Sequence, residues 1–167
     1  RLYGLAALDS SAARGVDIYT PEASQRTFAH LRQQARAVLQ AGYVDTAPVG
    51  PFDGATCLLT LHFLTKDERL HTLREIRRRL KPGAPLIVAH HSYPKGGDPV
   101  QWLTRSVAFA SASEAHLAQA SASAAAMAEH LPILSADEEE TLLRDAGFSD
   151  VWLFYAGFSF RGWVAQA

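Results

Sequence analysis

Residues 52–91 constrain this chain more than any other stretch: FDGATCLLTLHFLTKDERLHTLREIRRRLKPGAPLIVAHH. They read as a strand over 55–61, a short loop, an amphipathic helix, a Pro-Gly turn and a second strand over 84–90. Two apolar strands joined by a helix form a βαβ unit, and a helical crossover of this length implies a parallel pair. The first strand is apolar at consecutive positions, as expected of a strand covered by helices on both faces. Within the helix, Leu70, Leu73, Ile76, Arg77 and Leu80 trace one stripe. Asp67 and Glu68 sit in its first turn and Arg77, Arg78, Arg79 and Lys81 near its end, so both ends complement the helix dipole. Lys81-Pro82-Gly83 ends it.

The flanks extend the alternation. Gly15-Val16-Asp17-Ile18 reads as the end of a short strand, and Thr20-Pro21-Glu22 as a helix start with proline at the first helical position. Phe28, Leu31, Ala35 and Val38 or Leu39 would form one face of that helix, and an extended segment is expected within 38–44. Residues 100–130 are rich in alanine and serine and read as one or two helices after the Lys95-Gly96-Gly97-Asp98 loop. Ser135-Ala136-Asp137-Glu138 is a capping signature, with the helix ending at Gly147. Residues 151–155 and 159–165 read as a hairpin turning around Ala156-Gly157. The implied architecture is α/β: a Rossmann-like, doubly wound, mostly parallel sheet with an antiparallel C-terminal hairpin strand. One domain spans 1–167, with a helical insertion at about 98–130.

Composition bounds the function classes. With 48% hydrophobic and 20% charged residues in 167, the chain has the balance of an ordinary globular domain. A net charge of −1 gives no support to a nucleic-acid partner. No apolar run is long enough to span a bilayer, so no membrane partner is expected. The single Cys57 cannot form an intrachain disulfide, which fits a reducing cytoplasm. Opening on Arg1 rather than Met is expected of a sequence that begins inside a longer protein.

The ordered pieces GVD…TPEA, GYVD, FDGATCLLTLHFL, LREIRRRLKPGAPLIV and LLRDAGFSDVWLFYAGFSFRGWVA resemble successive elements of class I S-adenosylmethionine (SAM) methyltransferases. The layout is closest to the tRNA-uridine carboxymethyl-SAM synthase branch, which also carries a long helical insertion before an AGF-type turn and an aromatic hairpin. The resemblance implies SAM as cofactor. It places Asp17 on the ribose hydroxyls, Tyr43, Val44 and Asp45 beside the adenine, and Leu59 and Thr60 at the methionine part. His62 is the candidate general base, and with Phe63 it would floor the acceptor site. His91, Tyr93 and Arg105 complete the expected acceptor contacts. The His90-His91 pair does not read as a metal site. Adjacent strand residues face opposite ways, and no further Cys or paired carboxylate shows ligand spacing.

Two departures stand out. The family's glycine-rich first loop has no counterpart, because only sixteen residues precede Asp17 and they hold only Gly4 and Gly15. Residues missing from the chain, or a homodimer in which a second copy supplies the strand, would account for this. Residues 106–131 contain no Arg or Lys to hold a cofactor carboxylate, which favours plain methyl transfer. The leading reading is therefore a SAM-dependent methyltransferase acting on a small molecule or a modified nucleoside. The alternatives are a binding or scaffold protein that keeps the fold without the cofactor, and a carboxymethyl-SAM synthase-like enzyme of tRNA wobble-uridine modification.

Overall fold

The computed structural model describes residues 43–110 and 114–167, with Ala29 and Gln33 in helical backbone. The expectations for Asp17, for the segment before it and for the rest of the 20–39 helix lie outside the described residues. The elements are β1 (Ala55–Leu58), a 3-10 turn (Leu61–Phe63), α1 (Lys66–Arg78), β2 (Pro85–His91), α2 (Pro99–Ala110), α3 (Glu114–His130), α4 (Ala136–Asp145), β3 (Ser149–Gly157) and β4 (Phe160–Gln166). A second 3-10 turn, Val44–Thr46, precedes them.

These four strands form a mixed sheet in the order β1-β2-β4-β3. β1 runs parallel to β2, with Ala55 opposite Leu86 and Leu58 opposite Ala89. The crossover through α1 thus does what the sequence pattern requires. β4 is antiparallel to both β2 and β3, so the last strand of the chain inserts between β2 and the edge strand. Leu86 and Val88 of β2 and Trp163 and Ala165 of β4 meet Leu73 and Ile76 of α1 and Leu142, Leu143 and Phe148 in one core. Among the described residues no helix is long and apolar enough to cross a membrane.

Two helices begin with reciprocal caps. The Thr65 N–H donates to Glu68 Oε2 at 2.8 Å and the Glu68 N–H donates back to Thr65 Oγ1 at 3.4 Å. Ser135 repeats this arrangement, its N–H and Oγ both donating to Glu138 Oε2 at 3.0 and 2.8 Å. Each box satisfies amides that the first helical turn leaves without partners. The Ser135 box matches the sequence reading, whereas Thr65 was not singled out. The basic run ending α1 is more than a solvated face: Arg79 is buried, paired with Glu75 and bonded to the Asp45 carbonyl. Arg78 and Arg79 together hold the Glu75 carboxyl down at about 2.

Several expectations are corrected. β1 stops at Leu58 because Leu59 enters the left-handed region at φ 56° and the chain then winds into the 3-10 turn. Only Cys57 of β1 is buried, while Thr56 and Leu58 are exposed, so the described residues do not cover both faces of the strand. The hairpin turns at Phe158-Ser159, with Phe158 at φ 53°, rather than at Ala156-Gly157. Register shifts between Ser149 and Trp152 and between Leu153 and Tyr155 carry β3 past those residues. Of the aromatics near the C-terminus, Trp163 is fully buried, whereas Trp152, Phe154 and Tyr155 on β3 and Phe158 in the turn are exposed. The buried stripe of α1 also differs in membership: Arg69 is buried in phase with Leu73 and Ile76, whereas Arg77 is exposed.

Arg69 is fully buried, and its NH1 donates to the Glu139 carboxylate, its NH2 to the Pro132 carbonyl and its Nε to the Leu64 carbonyl at 3.0 Å. Removing one partner of a buried ion pair strands the other charge, so Arg69→Leu should cost about 3–5 kcal/mol in urea unfolding. The double change Arg69→Leu/Glu139→Leu should recover part of that loss; a single-variant loss below about 1 kcal/mol would show that the pair does not brace the fold. Thr65→Ala, which removes one cap, should cost about 1 kcal/mol in the same assay.

Candidate functional site

Ligands in open α/β sheets bind beyond the carboxyl ends of the parallel strands. Here that edge is built by the turn after β1 and the end of β2. The left-handed Leu59 is pinned by its N–H donating to the Ala89 carbonyl at 2.7 Å. That bond aims the following 3-10 turn back across the end of β2. Leu58, Leu59 and Phe63 are left exposed at this edge, while Leu61 and His62 turn inward and are buried.

Three imidazoles meet there. His62 lies 4.1 Å from Phe63, 4.9 Å from His91 and 6.3 Å from His90, measured between ring centroids. Burial, then the neighbouring His91 and His90, pushes the His62 imidazole down to about 2. Burial beside His90 takes His91 down to about 4. Both rings are therefore neutral at physiological pH. Among the described residues His62 Nδ1 is buried without a hydrogen-bond partner. Cys57 is a poor nucleophile in comparison, since burial raises its thiol to about 12.

The remaining groups hold this cluster in place. His91 Nδ1 lies 2.9 Å from Ser159 Oγ, which lies 2.6 Å from Ser106 Oγ on α2. The His91 ring also packs 4.1 Å from Phe160. His90 faces the other way, toward Trp163 at 5.6 Å, with Nε2 3.0 Å from Glu139 Oε1 but outside hydrogen-bonding geometry.

The sequence-expected residues separate into groups. His62, Phe63, His91, Leu59 and Thr60 come together at the sheet edge, where Thr60 Oγ1 donates to the Leu58 carbonyl at 3.0 Å. Tyr93 lies just beyond, bridged to Ser135 and half-buried. Arg105 is exposed on α2 with its guanidinium 4.6 Å over the Trp102 ring. In the 43–45 segment, Val44 is buried in the core and Tyr43 is exposed. Asp45 Oδ1 is 2.8 Å from His71 Nε2, so its carboxylate is engaged by α1. Sequence reasoning missed Ser106, Ser159, Glu139, Arg69 and Arg161. Arg161 could have been noticed as the one charged residue in the apolar run FRGWVA. Among the described residues no group of three His, Cys, Asp or Glu side chains could hold a metal ion.

The described part of the edge fits an organic cation such as SAM. Residues 43–63 contain no Lys or Arg, so no fixed positive side chain of that segment repels a sulfonium, and the exposed leucines and Phe63 offer apolar contact.

Comparison with solved structures agrees with this architecture. The chain is similar to the SAM-dependent methyltransferase SibL in its apo form, with 17% identity and a TM-score of 0.62 over 87% of this chain and 40% of that one. Human N-acetylserotonin methyltransferase in complex with SAM shows 19% identity and a TM-score of 0.58, covering 87% and 38%. An O-methyltransferase family 2 protein from Planctomyces limnophilus, in complex with apigenin, shows 16% identity and a TM-score of 0.60, covering 87% and 40%. The chain thus spans about two fifths of the length of these relatives. No curated protein matches the sequence. Residues 4–88, just over half of the chain, match the family described as "Methyltransferase domain". The chain therefore belongs to the methyltransferase domain family.

Proposed function

We propose that this chain is the catalytic domain of a SAM-dependent methyltransferase that acts on a small organic acceptor, with His62 as the base. The observation that carries this reading is the family match over residues 4–88, with His62 and His91 brought to 4.9 Å between ring centroids at the carboxyl edge of β1 and β2 inside or beside it. Bound SAM supplies an activated methyl group on a sulfonium. Leu59 and Thr60 would contact its methionine part, Tyr43, Val44 and Asp45 its adenine side, and Asp17 its ribose. His62 Nε2 would take the acceptor's proton while Phe63, His91 and Tyr93 exclude water and position the acceptor. The engagement of Asp45 by His71 leaves the backbone of that segment, rather than the Asp45 carboxylate, to face the adenine. The described relatives include an enzyme named for N-acetylserotonin and a protein bound to apigenin. Both are small aromatic molecules, which supports a small-molecule acceptor over a nucleic acid. The carboxymethyl-SAM synthase layout rests on the helical insertion alone. A homodimer and a cytoplasmic location remain part of the proposal.

Isothermal titration of the full-length protein with SAM tests the cofactor assignment. Asp17→Ala should weaken SAM binding by about 1–3 kcal/mol, the range for a lost charged hydrogen bond. Unchanged affinity in a variant of native circular dichroism would reduce Asp17 to a turn residue. His62→Ala should lower turnover by about 100-fold or more while leaving SAM affinity within about twofold; lost SAM affinity with turnover intact would remove His62 from the acceptor site.

The neutral imidazoles also set a stability profile. His62 and His91 resist protonation in the fold, so the unfolded chain binds protons first as pH falls below about 6.5. Stability should be full above that value and should decline through the interval down to about 4, where His91 protonates in the fold, and on toward about 2 for His62. Replacing His62 by Gln should flatten this decline in urea unfolding measured from pH 7 to pH 4.5. A wild-type curve flat over that range would contradict it.

A further inference from the structure

Three arginines are buried among the described residues: Arg69, Arg79 and Arg161. Arg69 pairs with Glu139 and Arg79 with Glu75. Arg161, only 5% exposed on β4, has no carboxylate within ion-pair distance among the described residues. A buried charge without a counter-ion is costly, and a fold that retains one has a use for it.

The guanidinium is held in a particular way. NH1 donates to the Ser92 carbonyl at 2.8 Å and to the Phe158 carbonyl at 3.0 Å, which fixes the plane and occupies one nitrogen. Among the described residues no hydrogen bond to Nε or NH2 accompanies these two, so the side-on edge that binds a carboxylate through two parallel bonds is left open by them. The Trp102 indole covers the group, its centroid 5.2 Å from the Arg161 carbon, and Arg105 lies 4.6 Å from the same ring. Two guanidiniums therefore share one indole, with no carboxylate of the described residues paired to either. Trp102 is also one helical turn from Ser106, whose hydroxyl leads through Ser159 to His91. The positive site and the imidazole cluster consequently lie beside each other, both roofed by α2.

We propose that Arg161 is the anion subsite of the acceptor site, and that the acceptor is a small organic molecule carrying a carboxylate. Its two oxygens bind the Nε–NH2 edge of Arg161, Arg105 adds a second positive charge, and Trp102 closes over the pair. The end of the molecule away from the carboxylate then points toward His91 and His62. This last placement rests on the methyltransferase reading; the anion subsite itself does not.

The full chain is titrated with benzoate, with its neutral isostere benzamide and with inorganic phosphate, following heat release and thermal unfolding. Benzoate should bind and raise the melting temperature, and benzamide should do neither. Arg161→Lys keeps the charge but loses the fork and should weaken benzoate by about tenfold. Arg161→Met should abolish the benzoate-induced shift and, having removed an uncompensated charge, should melt no lower than the wild type without ligand. Benzoate and benzamide binding alike, or an unchanged benzoate affinity in Arg161→Lys, would overturn the proposal. Phosphate binding at least as tight as benzoate would overturn the carboxylate assignment. Should Arg161→Met fail to fold, the wild-type ligand comparison and Arg161→Lys still decide. A parallel SAM titration separates the two readings: SAM binding without benzoate binding sinks the subsite alone, and benzoate binding without SAM sinks the methyltransferase reading alone.

Discussion

The buried pairing of Arg69 with Glu139 is the interaction on which the ligand edge depends. One guanidinium ties together the turn after β1 through Leu64, the segment following α3 through Pro132, and α4 through Glu139. Glu139 in turn faces His90 at the end of β2. Helices α1 and α4 could pack against the sheet by apolar contact alone, as Leu73, Ile76, Leu142 and Leu143 do. Apolar contact is non-directional, however, and does not set which turn of one helix meets which turn of the other. A buried guanidinium with three differently oriented acceptors does set that register. The edge that carries His62 is consequently fixed from beneath rather than from solvent.

Above that brace, the site is made by one backbone decision. Leu59 takes a left-handed conformation that a leucine rarely adopts, and the bond from its N–H to Ala89 holds it there. The consequence is an exchange of faces. Leu59 and Phe63 point outward and His62 inward, so an apolar rim surrounds a desolvated imidazole. Desolvation keeps that ring neutral, and the hydroxyl chain Ser106–Ser159–His91 ties the second ring to the inserted helix α2.

Much of the fold was legible because local patterns governed it. The parallel pairing of β1 and β2 followed from an apolar strand, a striped helix and a Pro-Gly turn, and the Ser135–Glu138 box followed from spacing. What escaped was set by contacts distant in sequence. Arg69 and Glu139 sit in phase with the apolar stripes of their helices, yet each reads as a surface charge until its partner, seventy residues away, is known. The early end of β1 could not be read because Leu59 is apolar like its neighbours and only the Ala89 contact bends it. The exposed aromatics of β3 look like core until the position of that strand at the sheet edge is fixed. At the site, His62, Phe63 and His91 were readable as residues at strand ends. Arg161 stands out in the sequence only as the one charged residue of the apolar run FRGWVA, and its burial with no carboxylate partner among the described residues is visible only in the fold.

A cofactor bound at the carboxyl edge of β1 and β2 should be visible in amide chemical shifts when the protein is titrated with S-adenosylhomocysteine. Saturable shifts are expected at Tyr43–Thr46, at Leu59–Phe63 and at His90–His91, with the opposite edge around Gly54 and Ala84 unmoved. Shifts confined to that opposite edge, or a spectrum unchanged at millimolar ligand, would contradict it.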